Sequence, residues 1–228
     1  MNLTIKLEAL AATLAIVLFV SACSNVNTAS TAAQVDGLTL VPDTQFKEFY
    51  RKSGADLSSY SQIEIERCKV NFRKNWQRDQ NSHRTDLSSR VTESDVTRIL
   101  DRMTDSCNDK FHEAFEQSTA YKLVNSSKLE ESVLILRPSI IDLDVHAPDL
   151  RGAGFTRTFT RSTGEMTLSL DIVDGATGEV IARAIDRRRD TENHQLEPTA
   201  SVSNQADFDR SIRRWAKQLR DGLDQATL

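Results

Sequence analysis

The tightest constraint on the fold lies between residues 165 and 187. Met166, Leu168, Leu170 and Ile172 take every second position from Glu165 to Val173, and a stripe of period two faces one side only in a strand. Asp174-Gly175-Ala176-Thr177-Gly178 follows, and a second strand-like run goes from Glu179 to Arg187. Two such runs joined by a short Gly-containing turn form a β-hairpin.

The remaining pattern supplies further strands and two helices. Thr92 and Asp95 make a weak form of capping box at the start of a helix from about Glu93 to Gln117. Val96, Leu100, Met103, Cys107, Phe111 and Ala114 fall on one face of it. A terminal helix from about Asp207 to Leu223 carries a stripe of Phe208, Ile212, Trp215, Leu219 and Leu223. Gln62 to Phe72 alternates but changes parity, which a bulge near Arg67 reconciles. A short strand is expected at Tyr121 to Val124. Ser132 to Leu136 is apolar on both parities, as in a strand covered on both faces, and Pro138 is expected to break or bend it. Beyond it Ile141, Leu143 and Val145 point one way and Asp142, Asp144 and His146 the other. The stretch from Gly37 to Tyr60 reads as short turns, and the polar stretch from Arg73 to Arg90 as a loop or a frayed segment. The order predicts an α+β fold, a two-layer sandwich of a mostly antiparallel sheet with helices packed on one face.

The N-terminus reads as a targeting segment. Lys6 provides a positive charge, which Glu8 cancels, and Ala9 to Val20 is an apolar run of about twelve residues. A membrane span needs about 20. Val20-Ser21-Ala22-Cys23 resembles the lipobox of bacterial lipoproteins. That resemblance implies a signal peptide over residues 1–22 and acylation of Cys23, with membrane attachment through the acyl chains. Ser24 in place of Asp implies the outer membrane, and the expected location is its periplasmic face. Residues 24–38 are small, polar and aperiodic, so Cys23 and a flexible tether occupy 23–38 and one globular domain occupies 39–228.

Of the 228 residues 39% are hydrophobic and 27% charged, which suits a folded domain, and the net charge of -4 argues against a nucleic-acid partner. With Cys23 acylated, Cys68 and Cys107 remain. Cys68 shares parity with Val70 and Phe72, and Cys107 shares helical phase with Met103 and Phe111, so a disulfide is expected, two reduced core thiols being the alternative.

Four stretches, the lipobox, SGADLSSYSQIEIE, DIVDGATGEVIARAIDRRRD and FDRSIRRWAKQLRDGLD, together resemble the bacterial lipoprotein family known as domain of unknown function 3313. The resemblance implies the location and fold just described and brings no catalytic residue and no cofactor.

Few residues could carry chemistry. Asp142, Asp144 and His146 alternate on one strand face and could reach one metal ion, but a solvated strand face gives the same triplet, so no metal is expected. No serine sits in a G-x-S-x-G elbow, and Gly175 to Gly178 is followed by a strand where a phosphate loop needs a helix. No enzymatic activity is expected. Arg183, Arg187, Arg188 and Arg189, with Phe155 and Phe159 on a neighbouring loop, form a possible partner surface that Asp186, Asp190 and Glu192 partly neutralise. The expectation is a non-catalytic binding or scaffolding module that contacts another envelope protein. The alternative is a binder or carrier of an envelope lipid or glycan, which needs a pocket.

Overall fold

A computed structural model describes residues 34–82, 84–125, 132–145, 158–160, 164–189, 197–199 and 201–225. The strands are β1 (Gln34–Val35), β2 (Leu38–Leu40), β3 (Glu48–Arg51), β4 (Gln62–Ile65), β5 (Lys69–Phe72), β6 (Lys122–Leu123), β7 (Val133–Asp144), β8 (Thr158–Thr160), β9 (Glu165–Asp174), β10 (Val180–Arg189) and β11 (Glu197–Thr199). The helices are α1 (Trp76–Asn81), α2 (Glu93–Phe115) and α3 (Ser201–Asp224).

The expected hairpin is the centre of the molecule. β9 and β10 pair antiparallel from Val173 and Val180 out to Glu165 and Arg189, and Gly178, at φ 73°, takes the left-handed position the turn requires. The main sheet runs β1-β2-β3-β10-β9-β7-β4-β6, with β5 sharing with β4 one edge of β7. From β1 to β7 the pairing is antiparallel, whereas β4, β5 and β6 join in parallel. β8 and β11 pair separately. The sheet starts at Gln34, inside the segment read as tether, and Leu38 is buried.

Both long helices cover one face. Thr92 and Asp95 close a full capping box, with the Asp95 N–H donating to Thr92 Oγ1 at 3.2 Å and the Thr92 N–H to Asp95 Oδ2 at 3.0 Å. Met103, Cys107, Phe111, Ala114 and Phe115 are buried along α2, and Phe208, Ile212, Trp215, Leu219 and Leu223 along α3. They form one core with Leu134, Leu136, Ile140, Leu168, Leu170 and Ile172 of the sheet. Ser106 Oγ donates to Asp209 Oδ1 and Ser118 Oγ to Asp224 Oδ1, each at 2.6 Å, fastening the middle of α2 and the turn that follows it to α3. The opposite face has a small apolar cluster, Val133, Ile135 and Val173.

Several expectations are corrected. Gln62 to Phe72 is not one bulged strand: β4 and β5 both lie along β7, and residues 66–68 leave the sheet between them. Pro138 does not break β7, which runs through it with Pro138 opposite Leu170. The Leu136 carbonyl accepts from the Glu66 N–H at 2.9 Å, so by strand alternation the Pro138 nitrogen faces the same edge. There the neighbouring strand is interrupted, and no ladder bond is lost. Ile141 is 37% exposed. A bulge between Ile141 and Asp144, with Asp142 at φ 54°, lets Ile140 and Leu143 both point inward.

A further correction concerns Arg73 to Arg90, which contains α1. Trp76 anchors this short helix. Its ring is 1% exposed, stacks on Phe72 with centroids 3.7 Å apart, and donates from Nε1 to the Val145 carbonyl at 2.7 Å. Asn81 adds a two-way clamp, donating from Nδ2 to the Val91 carbonyl at 2.9 Å and accepting the Val91 N–H at 2.8 Å. The stretch read as turns likewise holds β3, where Phe49 is fully buried.

Candidate functional site

Strand alternation divides the arginines of β10 between the two faces of the sheet. Asp186 and Arg188 point toward α3: Trp215 Nε1 donates to Asp186 Oδ2 at 2.6 Å, and the Arg188 guanidinium lies 5.7 Å from the Trp215 ring centroid. Burial and the nearby Arg214 lower the Arg188 pKa. Read in sequence as one basic run, the arginines are therefore two sets, and Arg188 belongs to the interior side.

Arg183, Arg187 and Arg189 point to the face the two helices do not cover. Arg183 Nε donates to Asp171 Oδ1 and Nη1 to Asp36 Oδ2, each at 2.6 Å. These bonds, Asp171 first, raise its pKa. Arg187 Nε donates to Glu165 Oε1 at 2.5 Å and Arg189 Nε to Glu165 Oε2 at 2.8 Å. Burial acts to raise the Glu165 carboxyl, but the bonds from Arg189 and Arg187 outweigh it and hold the carboxyl below its usual range. On the same face Arg137 Nε donates to Glu66 Oε1 at 2.7 Å. Arg137 lies opposite Asp171, which lies opposite Arg183, so three strands contribute to a row of fixed charges. Arg187 and Arg189 have side chains 52% and 70% exposed, while Arg183 is 20% exposed. Among the described residues the exposed pair shares the single carboxylate of Glu165.

Asp171, Glu165, Arg137 and Glu66 were not singled out from the sequence. The signal was present in the hairpin: once Met166 to Ile172 fix the inner parity, Asp171 and Glu165 must lie outward, opposite outward arginines. Phe155 lies outside the described residues. Phe159 is on β8, opposite Pro198 of β11. Cys23 also lies outside the described residues.

The strand-face triplet is not assembled as a ligand set among the described residues. Asp144 Oδ2 takes Arg73 Nε at 2.7 Å, Asp142 sits exposed at the bulge, and His146 lies outside them. No group of three or more potential ligands that could hold a metal occurs among the described residues.

Cys68 and Cys107 are joined by a disulfide, with sulfur atoms 1.98 Å apart and Cα atoms 6.1 Å apart. It ties the interruption between β4 and β5 to the buried side of α2. No helix among the described residues is long and apolar enough to cross a membrane.

The architecture is thus an open α+β sheet with helices on one face and an ion-paired row on the other. The chain belongs to the family described as Protein of unknown function (DUF3313), whose pattern matches residues 29–219. No curated protein matches it. Among solved structures it is similar to a PelC dodecamer from Paraburkholderia phytofirmans, at 8% identity and TM-score 0.35 over 75% of this chain and 96% of that chain. It is also similar to a Xanthomonas campestris protein of family DUF330, at 13% identity and TM-score 0.39 over 74% of this chain and 86% of that one. A minor lipoprotein from Acinetobacter baumannii is similar at 12% identity and TM-score 0.34, over 74% of this chain and 96% of that one.

Proposed function

We propose that the protein is a non-catalytic binding module of the bacterial cell envelope, acylated at Cys23, that contacts another envelope protein through the outer face of its sheet around Arg187 and Arg189. The observation that carries this reading is the pairing of two exposed arginines with one carboxylate, Glu165, on a face opposite the helices. Glu165 fixes both guanidinium groups in place, and each keeps further N–H donors for a partner's carboxylate. The flanking groups Thr167, Ser169 and Ile141 supply the mixed polar and apolar surroundings that interfaces use. Attachment rests on the lipobox-like Val20 to Cys23. Two acyl chains hold a protein stably where one binds reversibly.

The attachment is tested by mass spectrometry of the N-terminal peptide from protein purified out of its own membrane. The expected species starts at Cys23 with acyl mass on its sulfur and amino group. A free Cys23 thiol, or a Cys23→Ala protein that stays firmly in the membrane, contradicts it.

A further inference from the structure

A shallow, open depression of about 370 Å³ lies between the end of β5, α1 and the first turns of α2, lined by Phe72, Arg73, Asn75, Trp76, Gln77, Arg78 and Val96. We propose that it is a saccharide-binding site that takes an uncharged pyranose unit of a glycan. This lies on different residues from the partner surface and stands or falls independently of it.

The volume is enough for one ring, and the open shape suits a single unit of a longer chain lying across the surface more than an engulfed small molecule. One wall is apolar and rigid. Phe72 is half-buried and backed by Trp76 at 3.7 Å, and Trp76 is itself pinned by the Val145 carbonyl. A flat aromatic wall suits the C–H face of a sugar ring, and Val96 extends it. The other lining groups are donors and acceptors suited to hydroxyls. Gln77 spends its Nε2 on the Val91 carbonyl at 3.2 Å, leaving Oε1 as an acceptor. Asn75 is exposed and makes no capping bond to α1. Arg78 is engaged through Nε and Nη2, both to Asp79 Oδ1 at 3.2 Å.

Charge balance selects the ligand class. Arg73 Nη1 bonds Asp79 at 2.6 Å and its Nε bonds Asp144 at 2.7 Å, and these two carboxylates raise the Arg73 pKa. Arg78 shares Asp79. Each lining cation already faces a carboxylate, so a phosphate or sulfate would compete with fixed anions that a neutral hydroxylated ring does not meet.

The test is calorimetric titration of the full-length protein in a detergent whose headgroup carries no sugar. Maltose, cellobiose and N,N′-diacetylchitobiose are the probes, and inorganic phosphate forms a separate arm. Asn75→Gly removes the amide at a position with φ 63°, where glycine is at ease, and Arg78→Ala removes a side chain 73% exposed. Both variants should melt like the wild type. The expected result is saturable binding of at least one disaccharide, weakened roughly fivefold or more by each substitution, as loss of a hydrogen bond predicts. No disaccharide binding up to about 10 mM, binding indifferent to both substitutions, or binding of phosphate alone overturns the proposal.

Discussion

The backbone N–H of Cys68 donates to the side-chain oxygen of Asn108 at 2.7 Å, beside the residue, Cys107, to which Cys68 is covalently bound. The chain leaves the sheet edge here, and an N–H that would have joined a ladder finds a helix side chain instead. Asn108→Ala leaves that donor short of a partner and should cost about 1–2 kcal/mol in chemical denaturation. Unchanged stability would mean that water replaces the amide.

The disulfide spans a sequence separation of 39 residues. The chain-entropy estimate for such a loop is about 4 kcal/mol, and measured effects are commonly about 2–4 kcal/mol. The double variant Cys68→Ala, Cys107→Ala should lose that amount, and reductant should lower the wild-type midpoint while leaving the variant unmoved. Equal midpoints with and without reductant in the wild type contradict the bond.

The Tyr60 hydroxyl donates to Asp174 Oδ2 at 2.5 Å, tying the turn after Leu57–Ser59 to the central hairpin. This bond holds the Asp174 carboxyl below its usual range, helped by Thr177 and opposed by burial. Burial first, then Asp174, push the Tyr60 hydroxyl up to about 12. The depressed Asp174 stabilises the fold above the ordinary carboxylate pKa and ceases to do so as pH falls through the lower folded value. The raised Tyr60 stabilises below the ordinary tyrosine pKa of about 10, and that contribution is lost as pH rises toward the folded value. Denaturation midpoints should therefore fall at both extremes, and Tyr60→Phe should flatten the alkaline fall and reduce the acid one. An alkaline limb identical in wild type and variant contradicts the assignment.

Trp76 fixes α1 by packing and by one hydrogen bond. Trp76→Ala should cost about 3–5 kcal/mol. Trp76→Phe, which retains the stack on Phe72 and loses the bond to the Val145 carbonyl, should cost about 1–2 kcal/mol. Calorimetric melting orders the two. If the phenylalanine variant is as unstable as the alanine one, the hydrogen bond dominates and the packing account fails.

Arg187 and Arg189 are exposed but share Glu165, whose side chain is only 18% exposed, so replacing both by Ser leaves that carboxylate short of partners and should cost about 1–3 kcal/mol. A steeper loss would make them structural supports and remove the reason to place a partner there.

Regular periodicity made the hairpin, α2 and the stripe of α3 legible, because each buries one face over many residues. What escaped notice depends on contacts distant in sequence. Pro138 reads as a strand breaker until the gap between β4 and β5 appears beside it. Ile141 reads as core until the positive φ of Asp142 shifts the parity. α1 has six residues and one buried ring, too short for a period to show, and its anchors, Val145 and Val91, lie outside the helix. At the candidate surface the arginines were visible in sequence. Their division between faces, with Arg188 turned to Trp215 and its neighbours to Glu165, needed the hairpin register.

The partner surface is tested most directly by photo-crosslinking in the native membrane from single positions on the two sides of the molecule. A photoreactive residue at Thr167, on the outer face beside Arg187, should give one discrete adduct. The adduct should be lost when Arg187 and Arg189 are replaced by Ser, and the same probe at Asp101, on the exposed side of α2, should not form it. Absence of an adduct at Thr167, the same adduct from Asp101, or an adduct at Thr167 that survives loss of both arginines would contradict the account.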